Sequence, residues 1–246
     1  MHLDETPLFA PLEGLEAGST LVLDETELAH LKVFRLAAGD TLDLVDGRGR
    51  SARARTLNAK RGELVLEEIL ADERVRPAEP ALAIGALKGN ALEEVLDHCA
   101  QMPLRALQPL WCDHGQRAKG ADAAEGLEKR LRAKARVALK QSRRLWATEI
   151  LPPKSLDEWL AGADARETVV LLDEEGERAP ELPGAESGLW LLCGPEGGFS
   201  ARELGLVGPR SVSLSLGPTR LRAKSAPIFA LGALSAILAK SGANRR

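Results

Sequence analysis

The chain has 246 residues, of which 44% are hydrophobic and 28% are charged, a composition typical of a globular protein with a sizeable core. No apolar run approaches the roughly 18 residues that cross a bilayer, and the first residues lack the pattern of a secretory signal. The cysteines Cys99, Cys112 and Cys193 lack the spacing of a disulfide framework or a zinc site. We therefore expect a cytoplasmic protein that has no membrane segment and no metal site.

Charge is distributed unevenly, although its sum is only −3. Residues 48–61 carry six basic side chains and no acid, residues 114–144 carry ten basic against three acidic, and residues 202–246 carry eight against one. Basic blocks separated by acidic ones are typical of a polyanion-binding surface that is assembled from distant segments. Runs of charge are also typical of solvated helix faces, so both interpretations stay open.

The first 72 residues predict a small β-domain. Alternating apolar and polar residues predict strands at 19–23, 41–46, 51–57 and 63–70, with a turn at 58–62. Asp24 is the expected N-cap of a short helix over 25–34. Closely spaced strands with one helix favour a small β-barrel. Residues 71–80 hold two prolines and three acids and predict a linker, so we place the domain boundary between residues 72 and 73.

Beyond the linker, strands alternate with helices, which predicts an α/β domain over 73–246 with a mainly parallel sheet. We expect strands at 81–87, 106–111, near 150, and at 168–172, 188–193 and 211–214. We expect helices at 91–101, 125–144, 155–160 and 225–240. The last helix is apolar on nearly all sides, which predicts a place in an interface or in the core.

Two glycine-containing loops carry the strongest functional signal. The first, CGPEGGFSARE over 193–203, follows a buried strand, and Ser200 with Glu203 forms a predicted capping box. The second, SLGPTRLRAKS over 215–225, precedes the last helix, with Ser225 as its expected N-cap. Glycines let backbone N–H groups approach a ligand at the carboxyl edge of a parallel sheet. The first loop is neither a P-loop nor a GxGxxG motif, and a tight strand-to-helix turn is the alternative interpretation.

The sequence LLCGPEGGFSARE, followed about twenty residues later by LSLGPTRLRAKSA, resembles the RsmE family of bacterial SPOUT-class methyltransferases that act on 16S ribosomal RNA. The resemblance extends to HLKVFRLAAGDTLDLVDGRGR (30–50), LKGNALEEVLDHCAQ (87–101) and ALKQSRR (138–144), and so covers nearly the whole chain. It implies a PUA-like barrel, then a SPOUT α/β domain with a C-terminal trefoil knot. It also implies a homodimer and S-adenosylmethionine-dependent methylation of uridine N3 in the 30S subunit.

The sequence departs from the family pattern in three places. Lys224 stands where the family usually has glutamate, residues 101–103 replace Glu-Leu-Gly, and Cys193 replaces isoleucine or valine. The reversed charge at Lys224 motivates one alternative, a non-catalytic RNA-binding or ribosome-assembly factor that kept the fold. A SPOUT methyltransferase for a different RNA is the second alternative. A small-molecule nucleotide-binding enzyme is a third, which the arginine blocks disfavour.

We expect the cofactor shell to come from both loops and from the end of the strand at 168–172. Its predicted members are Leu172, Cys193, Gly194, Glu196, Gly197, Gly198, Leu216, Gly217 and Leu221. Leu172 could instead be an ordinary core residue that does not contact the cofactor. Glu196 could instead interact favourably with the dipole of the following helix.

Arg222 is the candidate catalytic residue. No His or Asp lies in either loop to act as a base, so we expect Arg222 to stabilise negative charge that develops on the uracil ring. A phosphate contact or a surface salt bridge is the alternative for this side chain. The predicted contacts to the RNA backbone are Arg35, Arg48, Arg50, Arg53, Arg117, Arg143 and Arg144.

Overall fold

The computed structural model describes residues 2–116, 121–178, 180–183 and 187–243. The chain divides into two compact units, one comprising residues 1–77 and 136–147, the other residues 78–135 and 148–246. The sequence-based boundary lies between residues 72 and 73, and sequence analysis placed residues 136–147 in the second domain. The contact pattern groups that segment with the first unit instead.

The first unit is built on a five-stranded sheet. Its strands are β1 (His2–Phe9), β2 (Thr20–Val22), β3 (Thr41–Val45), β4 (Arg50–Asn58) and β5 (Glu63–Asp72). They lie in the order β1-β3-β4-β5-β2, with β1 parallel to β3 and the other neighbours antiparallel. The four predicted strands are confirmed. Strand β1 was missed because the polar run at residues 4–6 interrupts its apolar pattern.

Alternation along these strands explains both the core and the exposed arginines of the first unit. On β4, Ala52 and Ala54 are fully buried, whereas Arg53 and Arg55, which alternate with them, face away from the core. Helix α1 (Glu25–Val33) covers the sheet with Leu31. The predicted N-cap is confirmed, because an Asp24 carboxylate oxygen accepts a hydrogen bond from the Glu27 backbone N–H at 2.8 Å. The first unit therefore has its own leucine-rich core.

A buried group of charges attaches residues 136–147 to the first unit. Glu27 is fully buried, and its carboxylate oxygens lie 2.8 and 3.0 Å from the Lys140 ammonium. Arg136 lies 3.0 Å from Glu27 and donates to Asp24 at 2.7 Å, and its guanidinium stacks 4.1 Å from the Phe9 ring centre. Buried charges are tolerated only when they are paired, so the buried Glu27 carboxylate depends on the positive charges of Arg136 and Lys140.

We expect Lys140→Met to lower the free energy of opening of the first unit by about 2–4 kcal/mol, because it leaves Glu27 with only part of its compensating charge. Hydrogen exchange resolved by peptide measures this for residues 2–77. The double variant Glu27→Leu/Lys140→Met removes both charges and should recover at least half of the loss. Lys32→Met, at an exposed position of α1, is the control; equal effects at residues 32 and 140 would contradict this account.

The second unit is a seven-stranded, wholly parallel sheet. Its strands are β6 (Ala81–Gly85), β7 (Ala106–Trp111), β8 (Glu149–Ile150), β9 (Lys154–Ser155), β10 (Thr168–Glu177), β11 (Leu189–Cys193) and β12 (Ser211–Leu214). The order is β12-β10-β11-β6-β7-β8, and β9 pairs with β7. All predicted strands and the parallel sheet are confirmed. Strand β9, with only two residues, was not predicted.

The helices of this part of the chain are α2 (Ala91–Cys99), α3 (Ala121–Gln141), α4 (Leu156–Gly162), α5 (Ala201–Val207) and α6 (Ala226–Ala243). Every residue of β6 and β11 is buried, which explains why these strands read as continuous apolar runs. On one side of the sheet Trp159 packs edge-to-face on Trp190, with 5.5 Å between ring centres. The described helices include none that is long and apolar enough to cross a membrane.

Helix α6 has one face in the core and one face exposed. Ala230, Leu231 and Leu234 are buried, and the helix packs against α2 and β11. On the other face, Phe229 is 60% exposed. The core placement predicted for this helix is thus confirmed, and the interface stays a prediction.

Candidate functional site

Three segments of the second unit converge on one cavity of about 600 Å³. They are the stretch of β10 beyond Leu171, the first glycine loop after β11, and the second glycine loop after β12. Because β10 is parallel to both β11 and β12, these segments leave the same edge of the sheet. The cavity is lined by all nine predicted cofactor-shell residues: Leu172, Cys193, Gly194, Glu196, Gly197, Gly198, Leu216, Gly217 and Leu221.

The first glycine loop lies so close to β6 and to the segment after β7 that glycine is needed at two of the contacts. A Cβ at Gly85 would lie 2.5 Å from the Pro195 ring, and a Cβ at Gly197 would lie 2.8 Å from the Cβ of His114. Gly198 has a φ of +71° and donates its N–H to the Pro195 carbonyl at 2.9 Å, which closes a tight turn. The glycines therefore shape this wall of the cavity.

The capping box of α5 also fixes a second loop against the first. Ser200 and Glu203 make the predicted reciprocal bonds, since the Ser200 Oγ accepts from the Glu203 N–H at 3.2 Å and Glu203 Oε2 accepts from the Ser200 N–H at 2.8 Å. The other carboxylate oxygen of Glu203 accepts from the Asp113 N–H at 2.9 Å, and the Ser200 hydroxyl donates to Asp113 at 2.7 Å. Glu203 is fully buried. One carboxylate thus ties the loop after β7 to the first glycine loop.

Glu196 has a structural partner. Its Oε1 accepts a hydrogen bond from the backbone N–H of Lys88 at 2.9 Å, which links the first glycine loop to the segment that precedes α2. Sequence analysis offered a contact with substrate or cofactor, or an interaction with the helix dipole. Glu196 does line the cavity, but this hydrogen bond gives its carboxylate a positioning role.

The cavity wall contributed by β10 is acidic, a feature that sequence analysis missed. Asp173, Glu174 and Glu175 follow Leu172 directly, and all three line the cavity together with Glu196. Arg220 lies 3.2 Å from Glu174 and balances part of this charge. The signal was present as LLDEEGE after a buried strand. An excess of carboxylates favours a ligand that carries positive charge.

Cys193 contributes an uncharged surface to the cavity. Burial raises the pKa of its thiol well above the usual value, with a further contribution from nearby Cys99. The pKa of Cys99 is itself raised to about 12 by burial. A thiol that stays protonated is a poor nucleophile and packs as a small apolar group. The departure from isoleucine or valine at this position therefore leaves the apolar character of the wall intact.

Arg222 is exposed and does not line the cavity, although its neighbours Leu221 and Ala223 do. Two residues further along, the Lys224 ammonium lies 2.5 Å from a carboxylate oxygen of Glu94 on α2. The positive charge that departs from the family pattern is thus matched by a negative charge on the neighbouring helix.

We expect Lys224→Met to raise the pKa of Glu94 toward its ordinary value. The hydrogen bond from Lys224 is the largest cause of the lowered pKa of this carboxyl, so the charged form loses its main stabilisation. A carbon-13 NMR titration of the carboxyl group measures the shift. Lys129→Met, at an exposed position on α3, is the control. An unmoved titration in Lys224→Met would show that the ion pair is not populated in solution.

The structure places the predicted RNA-contacting arginines in different surroundings. Arg48 is exposed and lies 3.1 Å from Glu13, and Arg53 lies 3.0 Å from Asp43, so both charges have acidic partners. Arg35 and Arg143 are exposed, and Arg144 is half-buried. Arg117 lies outside the described residues.

Arg50, a predicted phosphate contact, makes several contacts within the protein. Its side chain is only 15% exposed and lies 3.5 Å from Asp72. The guanidinium donates to the backbone carbonyls of Leu12 and Leu15, which secures the connection between β1 and β2. Protein acceptors already bond to these donors, and the phosphate contact of Arg50 stays a prediction.

Metal-binding side chains do not cluster in the described part of the chain: no three His, Cys, Asp or Glu residues there lie close enough together to hold an ion.

Comparison with known proteins places the chain in a family. Residues 75–235 match the family described as RNA methyltransferase domain. The chain is 30% identical to the ribosomal RNA small subunit methyltransferase E of Synechocystis, over 93% of this chain and 76% of that protein. It is 32% identical to the protein of the same name from Mycobacterium tuberculosis, over 92% and 89%. The chain belongs to this methyltransferase family.

Solved structures agree with the fold. The ribosomal RNA small subunit methyltransferase E of Neisseria gonorrhoeae, bound to S-adenosyl methionine, superposes with a TM-score of 0.85 at 22% identity, covering 94% of this chain and 97% of that one. A putative methyltransferase from Legionella pneumophila, in complex with the same cofactor, gives 0.83 at 24% identity, covering 95% and 98%. The mixed α/β fold predicted from the sequence is confirmed.

Proposed function

We propose that this protein transfers a methyl group from S-adenosylmethionine to N3 of a uridine in 16S ribosomal RNA of the small ribosomal subunit. The observation that carries the proposal is the convergence of both glycine loops and the acidic end of β10 on one cavity. Membership of a family whose curated relatives are named ribosomal RNA small subunit methyltransferases supports the RNA substrate. The choice of uridine N3 rests on the resemblance of the two loops to the RsmE family.

The residues of the cavity fit S-adenosylmethionine. Leu172, Leu216 and Leu221 offer apolar surface for the adenine ring, and the carboxylates of β10 suit the positive charges of the sulfonium and the amino group. Gly198 and Gly217 have φ values of +71° and +126°, and a Cβ at either position would meet no atom within 4 Å. Open space beside these backbones is what a closely held ligand needs.

S-adenosylmethionine supplies a methyl group on a positively charged sulfur. The protein contributes alignment, since methyl transfer depends mainly on holding the nucleophile in line with the methyl carbon. Uridine N3 carries a proton at neutral pH, and this proton leaves to solvent as N3 takes the methyl group from the sulfonium. Negative charge therefore develops on the ring only during the reaction, and the methylated base is neutral again. Arg222 lies in the second glycine loop between two cavity residues, and we assign it the stabilisation of that charge.

The finer architecture is part of the same proposal. We assign a PUA-like RNA-binding barrel to the first unit and a SPOUT domain with a C-terminal trefoil knot to the second. The order of strands supports the knot: β12 lies at the edge of the sheet, whereas the following helix α6 packs against α2 and β11, nearer its middle. The chain therefore turns back after the second glycine loop, as a knotted path requires.

The exposed face of α6 supports a homodimer. Phe229 is 60% exposed in the first turn of this apolar helix, and exposed apolar side chains are typical of subunit interfaces.

The deciding experiment incubates the protein with methyl-labelled S-adenosylmethionine and undermethylated 30S subunits, and then locates the label. We expect label at N3 of one uridine of 16S RNA.

Gly198→Val should abolish cofactor binding measured by calorimetry, because a side chain there enters the open space and strains a backbone with φ of +71°. Gly205→Val, on α5 with open space and ordinary φ, is the matched control and should bind as the wild type does.

Each alternative function gives a different result in this experiment. A non-catalytic RNA-binding or assembly factor would bind 30S subunits and transfer no label. A methyltransferase for another RNA would leave 16S RNA unlabelled and label a different RNA in the total pool. Label on a 16S base atom other than uridine N3 would overturn the assigned position and keep the enzyme class.

We expect Arg222→Ala to lower the single-turnover methylation rate by roughly 10²-fold, while cofactor affinity stays within a few-fold, since the charge it stabilises develops only during the reaction. Rapid-quench measurements at saturating 30S subunits report this rate. Arg222→Lys should restore part of it. A wild-type rate for Arg222→Ala at saturating RNA would leave Arg222 with at most a binding role.

A further inference from the structure

The first unit contains a cavity of its own, of about 470 Å³, a size typical of small-molecule sites. Three segments of the unit form it: the connection between β1 and β2, the turn between β3 and β4, and the end of β5 with the residues that follow. Five acidic and three basic side chains line the cavity. This mixture differs from a phosphate-binding surface, on which positive charge predominates.

Bonds within the first unit hold the three segments together. The Arg50 guanidinium donates to the carbonyls of Leu12 and Leu15 on the connection between β1 and β2. The Glu73 N–H donates to the Gly49 carbonyl at 2.9 Å, and a Cβ at Gly49 would collide with the Glu73 carbonyl oxygen. Gly49 also has a φ of +102°, so glycine is needed where the turn meets the end of β5. The cavity is therefore formed before a ligand enters.

Asp46 offers the cavity a buried hydrogen-bond acceptor. It lines the cavity and is only 6% exposed. Its Oδ1 accepts from the backbone N–H groups of Arg48 at 2.7 Å and Arg50 at 3.0 Å, whereas none of the described residues donates to its Oδ2. Because a buried carboxylate oxygen gains much from a hydrogen bond, a ligand with an N–H group would bind favourably at this oxygen.

Most of the other acids of the cavity are engaged within the unit. Three have partners at 3.1, 3.5 and 2.9 Å: Glu13 with Arg48, Asp72 with Arg50, and Glu73 with the indole N–H of Trp146. Glu16 is exposed at the outer edge of the cavity. Asp46 is thus the carboxylate best placed to recognise a group inside the cavity.

Positive charge lies at the outer edge of the same cavity. The Arg48 side chain is 76% exposed and the Arg74 side chain 87%. Ion pairs of exposed side chains contribute little stability, so a phosphate can replace the carboxylates as partner of these arginines. A buried acceptor below exposed guanidinium groups suits a nucleotide that enters base first and leaves its phosphate outside. A basic peptide would meet the two arginines first and be repelled.

We propose that this cavity, which we call the Asp46 cavity, binds an unpaired guanine of the RNA substrate. The inference rests on the proposed function, which makes RNA the partner. Guanine alone among the RNA bases carries two neighbouring N–H donors, N1–H and the 2-amino group, on its Watson–Crick edge, and these suit a carboxylate. Uracil places carbonyl oxygens on both sides of its N3–H, and these would face the acids. The Asp46 cavity therefore reads a base other than the methylated uridine.

Two nucleotides test this on the full-length wild-type protein without any substitution. IMP differs from GMP only in lacking the 2-amino group. An NMR titration that follows the backbone N–H signals of Arg48 and Arg50 should give GMP an affinity about tenfold higher than that of IMP or UMP, because one hydrogen bond to a charged acceptor is lost. Equal affinities for GMP and IMP would overturn the proposal.

Asp46→Asn changes the acceptor inside the cavity and keeps the turn. The amide oxygen of asparagine can still accept from the N–H groups of Arg48 and Arg50, while the atom that replaces Oδ2 becomes a donor. The variant should bind GMP and IMP equally, and its affinity for 30S subunits should fall about tenfold. Glu67→Gln, which removes one negative charge from an exposed position of β5 outside the cavity, is the matched control and should keep the preference for GMP.

Each further outcome has a definite meaning. A preference for GMP that survives in a folded Asp46→Asn protein overturns the role of Asp46; if that variant is unstable, the comparison of GMP with IMP on the wild type decides. Binding of an oligoarginine peptide with no binding of nucleotides would assign the cavity to a basic protein segment and overturn the proposal. The titrations need no methyl transfer, so their failure leaves the proposed function intact. A wild-type protein that prefers GMP but transfers no methyl group to RNA refutes the function alone.

Discussion

The parallel pairing of β10 with β11 on one side and with β12 on the other is the constraint on which the site depends. It makes three segments that are far apart in the sequence leave the sheet at one edge. Loops that follow antiparallel neighbours would have left opposite edges, and no common cavity would have formed between them. The glycines allow the loop backbone to approach a ligand closely, but the parallel pairing of the strands is what brings the two loops together.

Two carboxylates fix the first glycine loop in place by hydrogen bonds to backbone N–H groups. Glu203 bonds to the backbones of Ser200 and Asp113, and Glu196 bonds to the backbone of Lys88, so both sides of the first glycine loop are fixed by the protein itself. A cavity whose walls are set by internal bonds loses little conformational entropy when a ligand enters. The acidic residues of β10 are left to act on the ligand through their charge.

Much of the fold was predictable because it follows local rules. Alternation gave the strands of the first unit, buried apolar runs gave β6 and β11, and the Ser200–Glu203 spacing gave the helix cap. The cavity residues were predictable because glycine loops after parallel strands share an edge. The pairing of charges that are distant in the sequence was not predicted. Lys140 was counted within a basic block for RNA, yet it is buried against Glu27, 113 residues away.

The same limit applies to the site. Nothing in the local pattern around Arg50 indicates that the carbonyls of Leu12 and Leu15 take up its guanidinium, and nothing near Lys224 indicates that Glu94 lies opposite. A count of basic residues gives the number of positive charges in a segment. It does not give the number that are not already paired with groups of the protein itself and can bind RNA. The structure supplies that second number.

Helix α3 has a consequence for how the protein can be divided. Its residues up to 135 belong to the second unit and its last residues to the first, so the first unit is not a continuous stretch of chain. A fragment cut after residue 77 would keep Glu27 in the interior and lose both Lys140 and Arg136. Expression of the N-terminal domain by itself therefore requires either the segment 136–147 joined back by a linker or a neutral residue at position 27.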